Sequence, residues 1–335
     1  MRKEALLWEK MDQNRVHCYL CAHQCHIADS SYGVCSVRQN VGGTLYTLFY
    51  GDAIAAHVDP IEKKPFYHFM PGSYSFSIAT IGCNFQCSFC QNWQISQVAR
   101  ERGKAPGGMK LMPERVVEEA IANGCQSISY TYTEPTIFFE YAFDTAKLAS
   151  ERGIKNVFVT NGYMTEQAID MISPYLDAAN VDLKSFSESY YRKLCKAKLR
   201  PVLDTIAYLR KRDIWVEITT LVIPGENDSP EEMAEIADFI ACVDRDIPWH
   251  ISRFHPDYKL TKSEPTPMET MEKARQIGKE HGLHYVYLGN VMNEPDTYCP
   301  YCGNLLISRR YFGYEKSALE DGKCPRCKHE IKGIW

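Results

Sequence analysis

The sequence predicts an α/β protein with a parallel sheet and its helices outside, the sheet open or closed into a barrel. Two observations predict it: strand-like runs alternate with helical patterns through the middle of the chain, and polar motifs recur where those runs end. At 335 residues the chain exceeds a typical single domain and suits one barrel with attachments.

In chain order, the strand-like run Ser75–Thr80 leads into a cysteine triplet, and the helical pattern Pro113–Ala122 precedes a second run, Ser127–Tyr132. That run ends at Thr133-Glu134-Pro135 and is followed by the pattern Ile137–Arg152. Val157–Thr160 closes on Thr160-Asn161-Gly162 before the pattern Gln167–Ile172. Ala178–Leu183 closes on Asp182-Leu183-Lys184 before Pro201–Lys211. Ile214–Val222 ends at Ile223-Pro224-Gly225, with Pro230–Cys242 behind it. His250–Phe254 carries Arg253-Phe254-His255-Pro256, and Met268–His281 separates it from a last run, His284–Leu288. Active sites of βα barrels gather at the C-terminal ends of their strands. The six motifs are therefore expected to converge on one rim, which argues for a catalytic barrel without any family name.

Composition narrows the class. Hydrophobic residues at 45% and charged residues at 24% are ordinary for a globular protein. A net charge of −4 argues against a broad nucleic-acid or membrane-binding surface. The most basic stretch, Arg192–Arg200 with Arg210, Lys211 and Arg212, reads as a solvated helix face. No apolar run approaches the ~20 residues of a membrane span. Charges at Arg2, Lys3 and Glu4 stand where a signal peptide needs an apolar core, so a cytoplasmic protein is expected.

Cysteines carry the chemistry. Eleven of the 14 fall into three sets, and in a reducing compartment such sets read as metal ligands more than as disulfides. Cys125, Cys195 and Cys242 stand alone and read as small core residues or inert thiols. The middle set, Cys83-x-x-x-Cys87-x-x-Cys90, offers three thiolates. Three thiolates can hold three irons of a [4Fe–4S] cube and leave the fourth iron open. The plain alternatives are buried cysteines or a structural zinc, although zinc usually takes four ligands in CxxC pairs.

This triplet within Ile81–Trp93, together with Tyr132–Glu134, Thr160–Gly162, Asp182–Lys184 and Val222–Gly225, resembles the pyruvate formate-lyase activating enzyme branch of the radical S-adenosylmethionine (radical SAM) superfamily. The resemblance covers residues 75–290 and implies a partial (β/α)6 TIM-type barrel. It also implies a [4Fe–4S] cluster on Cys83, Cys87 and Cys90, with S-adenosylmethionine (SAM) chelating the open iron. Phe89 matches the aromatic position along the adenine. Glu134 matches the carboxylate that reads the methionine amine, although the family's Gly-Gly-Glu is Tyr132-Thr133-Glu134 here. Asn161 is a candidate for the ribose or carboxylate of SAM. The plain readings are a solvated strand-end glutamate and an Asn-Gly turn. Asp182 and Lys184 share one side of a strand and suit an ion pair, a cation site or substrate contacts.

A narrower resemblance rests on His57–Gly72, the N-terminal cysteines, Cys87–Trp93 and the C-terminal cysteines: the chain looks like the radical SAM component of the AmmeMemoRadiSam system. That resemblance implies a Memo-like and an AMMECR-type protein as partners. Asp59, Glu62, Lys63, Lys64 and His68 read either as active-site contacts or as a salt-bridged loop. Asp59, Lys64, Asp182 and Lys184 are the catalytic candidates.

Cys299-x-x-Cys302 and Cys324-x-x-Cys327 look like a zinc ribbon, since paired CxxC turns present four thiolates to one ion. Their separation slightly exceeds the usual range, and Lys328 stands where a glycine is common. The N-terminal set, Cys18, Cys21, Cys25 and Cys35, suits zinc or an auxiliary [4Fe–4S] cluster, with His17, His23 and His26 able to replace one thiolate. Auxiliary clusters of activating enzymes follow the triplet, and this different layout leans the reading toward zinc. The expected organisation is an N-terminal cysteine-rich extension (1–72), a radical SAM barrel (73–290) and a zinc-ribbon module (291–335).

Three functions follow. The first is a radical SAM enzyme, reduced by a donor such as flavodoxin or ferredoxin, that takes hydrogen from a peptide, protein, metabolite or RNA. The second is an activase that installs a glycyl radical on a partner enzyme. The third is a non-catalytic metal-binding scaffold for a Memo-like partner.

Overall fold

Residues 1–101, 107–292, 295–310 and 313–335 are described by the computed structural model. Eight strands form the central sheet: β1 (Ala55–Pro60), β2 (Tyr74–Ala79), β3 (Ser127–Tyr130), β4 (Lys155–Thr160), β5 (Ala178–Asp182), β6 (Trp215–Val222), β7 (Trp249–Arg253) and β8 (Val286–Gly289). They lie side by side in sequence order, which leaves β1 and β8 as the edges. Strands β2 to β8 run parallel, while β1 pairs antiparallel with β2. An unreversed order joined by right-handed crossovers puts the helices on one face, the arrangement of a partial barrel. The seven parallel strands are those expected from sequence. β1 is new, formed where only a polar block was expected.

The helices begin where local chemistry starts them. α1 (Pro113–Ala122) opens on a proline, whose missing N–H is an orphan there anyway. α2 (Phe139–Glu151) follows a short 3₁₀ turn capped by Glu134. In α3 (Glu166–Ile172) the Thr165 side chain accepts from the Ala168 N–H. α4 (Arg200–Lys211) and α5 (Pro230–Val243) each carry proline in the first turn, and Ser229 caps α5. α6 (Met268–Glu280) precedes β8. Val116, Val117 and Ala120 of α1 and Ala142 and Ala146 of α2 share one core with Phe76, Ile78, Ile128 and Tyr130.

Strand alternation sends the other side chains inward. Ser75, Ser77, Ser127, Ser129, Asn180 and Glu217 are all buried on that polar inner face. Asp59 of β1 is the register partner of Ser75 and joins it. The amino ends of the strands are plugged by Ile61, Phe66 and Phe69, packed on Val157, Ala178 and Trp215. Each such buried phenylalanine contributes about 1.5–3 kcal/mol. This plug makes the floor of the site.

The N-terminal segment folds as two three-stranded antiparallel sheets, one containing Val16–Cys18 paired with Cys25–Ile27. The C-terminal segment, with strands Thr297–Tyr298, Leu305–Arg310 and Gly313–Ser317, shares a separate core with Tyr67, Tyr285 and Tyr287. Among the described residues, no helix is long and apolar enough to cross a membrane.

Candidate active site

The carboxyl ends of the strands border a cavity of ≈ 470 Å³. Its walls include Cys83, Cys87, Cys90, Phe89, Glu134, Asn161, Asp182, Lys184 and Lys64. Four of the six strand-end motifs reach it. Ile223-Pro224-Gly225 and Arg253-Phe254-His255-Pro256 stand at the carboxyl ends of β6 and β7, on the same edge of the parallel sheet, but do not line the cavity. Both loops back its wall: His255 Nε2 lies 3.0 Å from Gln91 Nε2, and Asn227 donates to the Lys184 carbonyl at 2.6 Å. Asn227 accepts the Ile223 N–H at 2.6 Å, and Arg253 Nε donates to the Thr266 carbonyl at 2.7 Å.

The cysteine loop leaves β2 through Gly82, which holds φ at +102°. A Cβ there would meet Val37 Cγ1 at 2.6 Å, so the turn requires glycine. The Gln86 and Ser88 N–H groups donate to the carbonyls of Cys195 and Leu194, each at 2.9 Å. Arg100 donates to the Cys83 carbonyl at 3.1 Å. The Phe85 N–H points at Cys83 Sγ from 3.3 Å, Asn161 Nδ2 approaches it at 3.8 Å, and Ser96 Oγ lies 3.2 Å from Cys90 Sγ. Burial and the Glu134 charge push the Cys83 thiol well up, a contact with Cys195 and then burial do so for Cys87, and burial raises Cys90 to about 11. Thiols held this way are protonated when free and release protons on binding a metal group.

These three residues fit an iron–sulfur cube better than a single ion. Four sulfurs on one zinc at about 2.3 Å stand about 3.8 Å apart, whereas a cube seats each thiolate on its own iron. Among the described residues, the group whose ligand atoms all lie within 4.8 Å of one another is Cys299, Cys302, Cys324 and Cys327, and the triplet forms no such group.

Glu134 is neither solvated nor idle. It is buried, and its Oε1 accepts from the Thr136 N–H (3.0 Å), the Thr136 hydroxyl (2.5 Å) and the Thr160 hydroxyl (2.8 Å). Its Oε2 accepts the Asn161 N–H at 2.8 Å. Burial raises its pKa even against these donors. Glu134 thus locks the ends of β3 and β4 together. Asn161 Nδ2 donates to Asn84 Oδ1 at 2.7 Å, which aims this side chain at the cysteine loop. Phe89 is buried, with Lys184 Nζ 5.8 Å from its ring centre.

Lys184 donates to Asp182 Oδ2 at 2.8 Å, the ion-pair option among the three expected. Burial opposes the Lys184 charge, but Asp182 and then the neighbouring sulfurs overcome it and raise its pKa. Elsewhere in the lining, Lys63 and Lys64 donate to Asp59 at 2.7 and 2.6 Å, and the Tyr132 hydroxyl donates to Asp59 Oδ2 as well. Lys64 Nζ also lies 4.4 Å from the centre of the Tyr132 ring. Burial pushes Lys64 down to about 8 despite its partner. Burial would raise Asp59, yet its three donors hold it well below the carboxylate range.

Tyr132 went unremarked as a functional group in the sequence. It stands at the first glycine position of the motif the sequence resembles and holds φ at +61°, a left-handed backbone taken here without glycine. The rest of the 57–72 block divides. Glu62 accepts the Gly72 N–H at 2.8 Å, and His68 bonds the Lys332 carbonyl (2.9 Å) and the Tyr287 hydroxyl (2.8 Å), away from the cavity. Glu217 and His250, 2.6 Å apart, form a buried pair on the inner face, and His250 lines the cavity. No sequence signal joined these two, because inward-facing residues of neighbouring strands lie far apart in the chain.

The C-terminal thiols pair at 3.5 Å (Cys299–Cys327) and 3.6 Å (Cys302–Cys324), a spacing suited to one metal ion. The N-terminal four cysteines surround a small void of their own.

Comparisons with known proteins agree with this geometry. The family model of the radical SAM superfamily matches residues 77–240. An uncharacterized protein of Methanocaldococcus jannaschii is 44% identical over 97% of this chain and 97% of its own length. The pyruvate formate-lyase 1-activating enzyme of Escherichia coli is 24% identical, over 60% of this chain and 87% of that one. The crystal structure of a radical SAM methyltransferase from Sphaerobacter thermophilus shares the fold with a TM-score of 0.52, at 15% identity over 71% of each chain. The family implies a [4Fe–4S] cluster, SAM and a reductant, for which the triplet and the cavity are suited. The chain belongs to the radical SAM superfamily.

Proposed function

We propose that this enzyme cleaves SAM reductively at a [4Fe–4S] cluster on Cys83, Cys87 and Cys90 and takes hydrogen from a substrate held in the barrel cavity. One observation carries the reading: three thiols, Cys87 buried and Cys83 and Cys90 half-buried, line a single space of ≈ 470 Å³ together with Lys64, Tyr132, Asp182 and Lys184. When bound there, the cluster and SAM supply one-electron scission of the sulfonium to methionine and a 5′-deoxyadenosyl radical. The chain's own residues bind and orient. Phe85, Asn161 and Ser96 set the sulfurs, Phe89 offers a ring to adenine, and Glu134 acts by fixing the Asn161 backbone. The Asp59–Lys64–Tyr132 and Asp182–Lys184 groups are the substrate contacts. A flavodoxin or ferredoxin is the electron donor of this reading, and a zinc ion occupies the C-terminal cysteines. Domain limits at 1–72, 73–290 and 291–335 belong to it too, with residues 55–60 lent to the barrel sheet.

The Memo-like and AMMECR-type partners rest on the sequence resemblance carried by the 57–72 block, the N-terminal cysteines, Cys87–Trp93 and the C-terminal cysteines; Lys63 and Lys64 of that block line the cavity. A second reading, installation of a glycyl radical on a partner enzyme, is favoured by the likeness to the pyruvate formate-lyase 1-activating enzyme. Anaerobic reconstitution with dithionite and SAM tests both: 5′-deoxyadenosine should form, and Cys87→Ala should abolish it while the C-terminal module stays folded. Inert, folded protein would favour the scaffold. Deuterium transfer into 5′-deoxyadenosine from a labelled glycyl-radical partner, against transfer from a small molecule, separates the two catalytic readings.

A further inference from the structure

The four N-terminal cysteines differ in geometry from the four at the C-terminus, and the difference decides what they bind. Cys18 and Cys25 are register partners on neighbouring strands, and Cys21 and Cys35 close the ring. Together they wall a void completed by Leu20, Ile27 and Ile137. The void is small, ≈ 20 Å³, and Arg38 and His23 also line it, so it marks where the four thiols point rather than an open pocket. Unlike the C-terminal set, these sulfurs are not drawn together within 4.8 Å of one another. A single zinc would hold them about 3.8 Å apart.

Arg38 supplies a second, independent observation. Its guanidinium is 1% exposed and lines the void, with Nη1 3.4 Å from Cys18 Sγ and Nη2 on Glu140. Its Nε is buried with no hydrogen-bond partner. A buried orphan donor on a cationic group calls for an anionic acceptor. Inorganic sulfide of a cluster is such an acceptor, as are the thiolates that hold any metal group here, so Arg38 marks an anionic site and the spacing of the sulfurs says which. Gly33 closes the wall: a Cβ there would lie 3.3 Å from Ile27 Cδ1, 3.8 Å from Cys35 Sγ and 3.9 Å from Cys25 Sγ.

We infer that Cys18, Cys21, Cys25 and Cys35 hold a second, fully cysteine-ligated [4Fe–4S] cluster, reversing the lean toward zinc that the sequence alone suggests. The site adjoins the triplet loop. Arg100 bridges the Val34 carbonyl at 2.6 Å and the Cys83 carbonyl at 3.1 Å, and His23 bonds the Asn84 carbonyl at 2.9 Å. The inference uses no residue of the barrel cavity, so it stands or falls separately from the proposed function.

The test is iron, sulfide and zinc analysis with Mössbauer spectroscopy on full-length protein purified without oxygen. About eight irons are expected in the wild type, and about four in the triple variant Cys83→Ala, Cys87→Ala, Cys90→Ala, with a fully thiolate-ligated spectrum. Gly33→Val keeps every ligand and should lose the N-terminal irons while retaining those of the triplet. A triple variant free of iron, or wild type with about four irons and two zincs, overturns the inference. Iron that persists in the triple variant but is absent from the triplet of the wild type would sustain the inference and sink the proposed function.

Discussion

Lys64 Nζ lies 2.6 Å from Asp59 Oδ2, with side chains only 2% and 7% exposed. The two are joined by a short 3₁₀ turn, Ile61–Lys63, that carries Lys64 back over β1. The turn also sends Phe66 and Phe69 into the barrel floor, so one segment both plugs the barrel and arms it. The ammonium is charged at neutral pH but close to giving up its proton.

That pair gives an unusual alkaline limb. Lys64 titrates near 8 when folded against a reference of 10.5, so between those values the unfolded chain binds more protons. Its contribution to stability therefore rises with pH through that window, having been unfavourable below it. Asp59 has the same slope at the acid end but a favourable contribution: it is present above the reference value of 3.8 and is lost as pH falls below it. Urea titrations from pH 7 to 10.5 should show Lys64→Met flattening the alkaline rise relative to wild type. An identical profile in both proteins would remove the basis for a depressed Lys64.

Glu134 tests whether a strand-end carboxylate reads SAM or holds the frame. All four of its contacts run to protein donors, on Thr136, Thr160 and Asn161. Glu134→Gln places an amide N–H where a donor already points, and should cost about 1–3 kcal/mol of stability. The Kd for SAM should change little once the variant is folded. A large loss of SAM affinity at unchanged stability would instead make this group a direct ligand of the methionine amine.

The parallel strands and their helices were legible because period-2 and period-3.6 patterns are local, and the triplet because metal ligands must crowd into one loop. Strand β1 was not, since Val58 is 41% exposed on a sheet edge and its polar neighbours masked the alternation. Asp182 with Lys184, and Asp59 with Lys64, could be named as neighbours, but not their partners from distant strands. Tyr132 meets Asp59 from 73 residues away, and His250 meets Glu217 from 33. Such pairings are products of register and crossover, which no spacing rule encodes. The two motifs that stand behind the cavity wall are held there by local bonds to Asn227 and Thr266, which strand-end position alone does not reveal.

The C-terminal module should depend on its metal. Its own core is small and borrows Tyr67, Tyr285 and Tyr287 from the barrel. Chelation or Cys302→Ser should melt this module first, exposing the tyrosines and quenching or shifting their fluorescence while the barrel's far-UV signal persists. His68 would then lose the Lys332 carbonyl, loosening the floor beneath Lys64. Metal-free protein with an unchanged module in hydrogen exchange would show that the staple is dispensable.

Arg38 and Glu140 form a buried ion pair, with side chains 2% and 0% exposed. Removing one partner of such a pair costs about 3–5 kcal/mol, because the remaining charge is left without compensation in a dry core. Glu140→Ala is expected to show that cost in cluster-free protein. In protein whose N-terminal cysteines carry an anionic cluster, Arg38 keeps a counter-charge through its contact with Cys18, and the loss should be visibly smaller. Chemical denaturation of both forms, with and without iron, measures the difference. Equal losses in the two forms would mean that Arg38 faces no added negative charge, and its role would reduce to the packing of the N-terminal sheets.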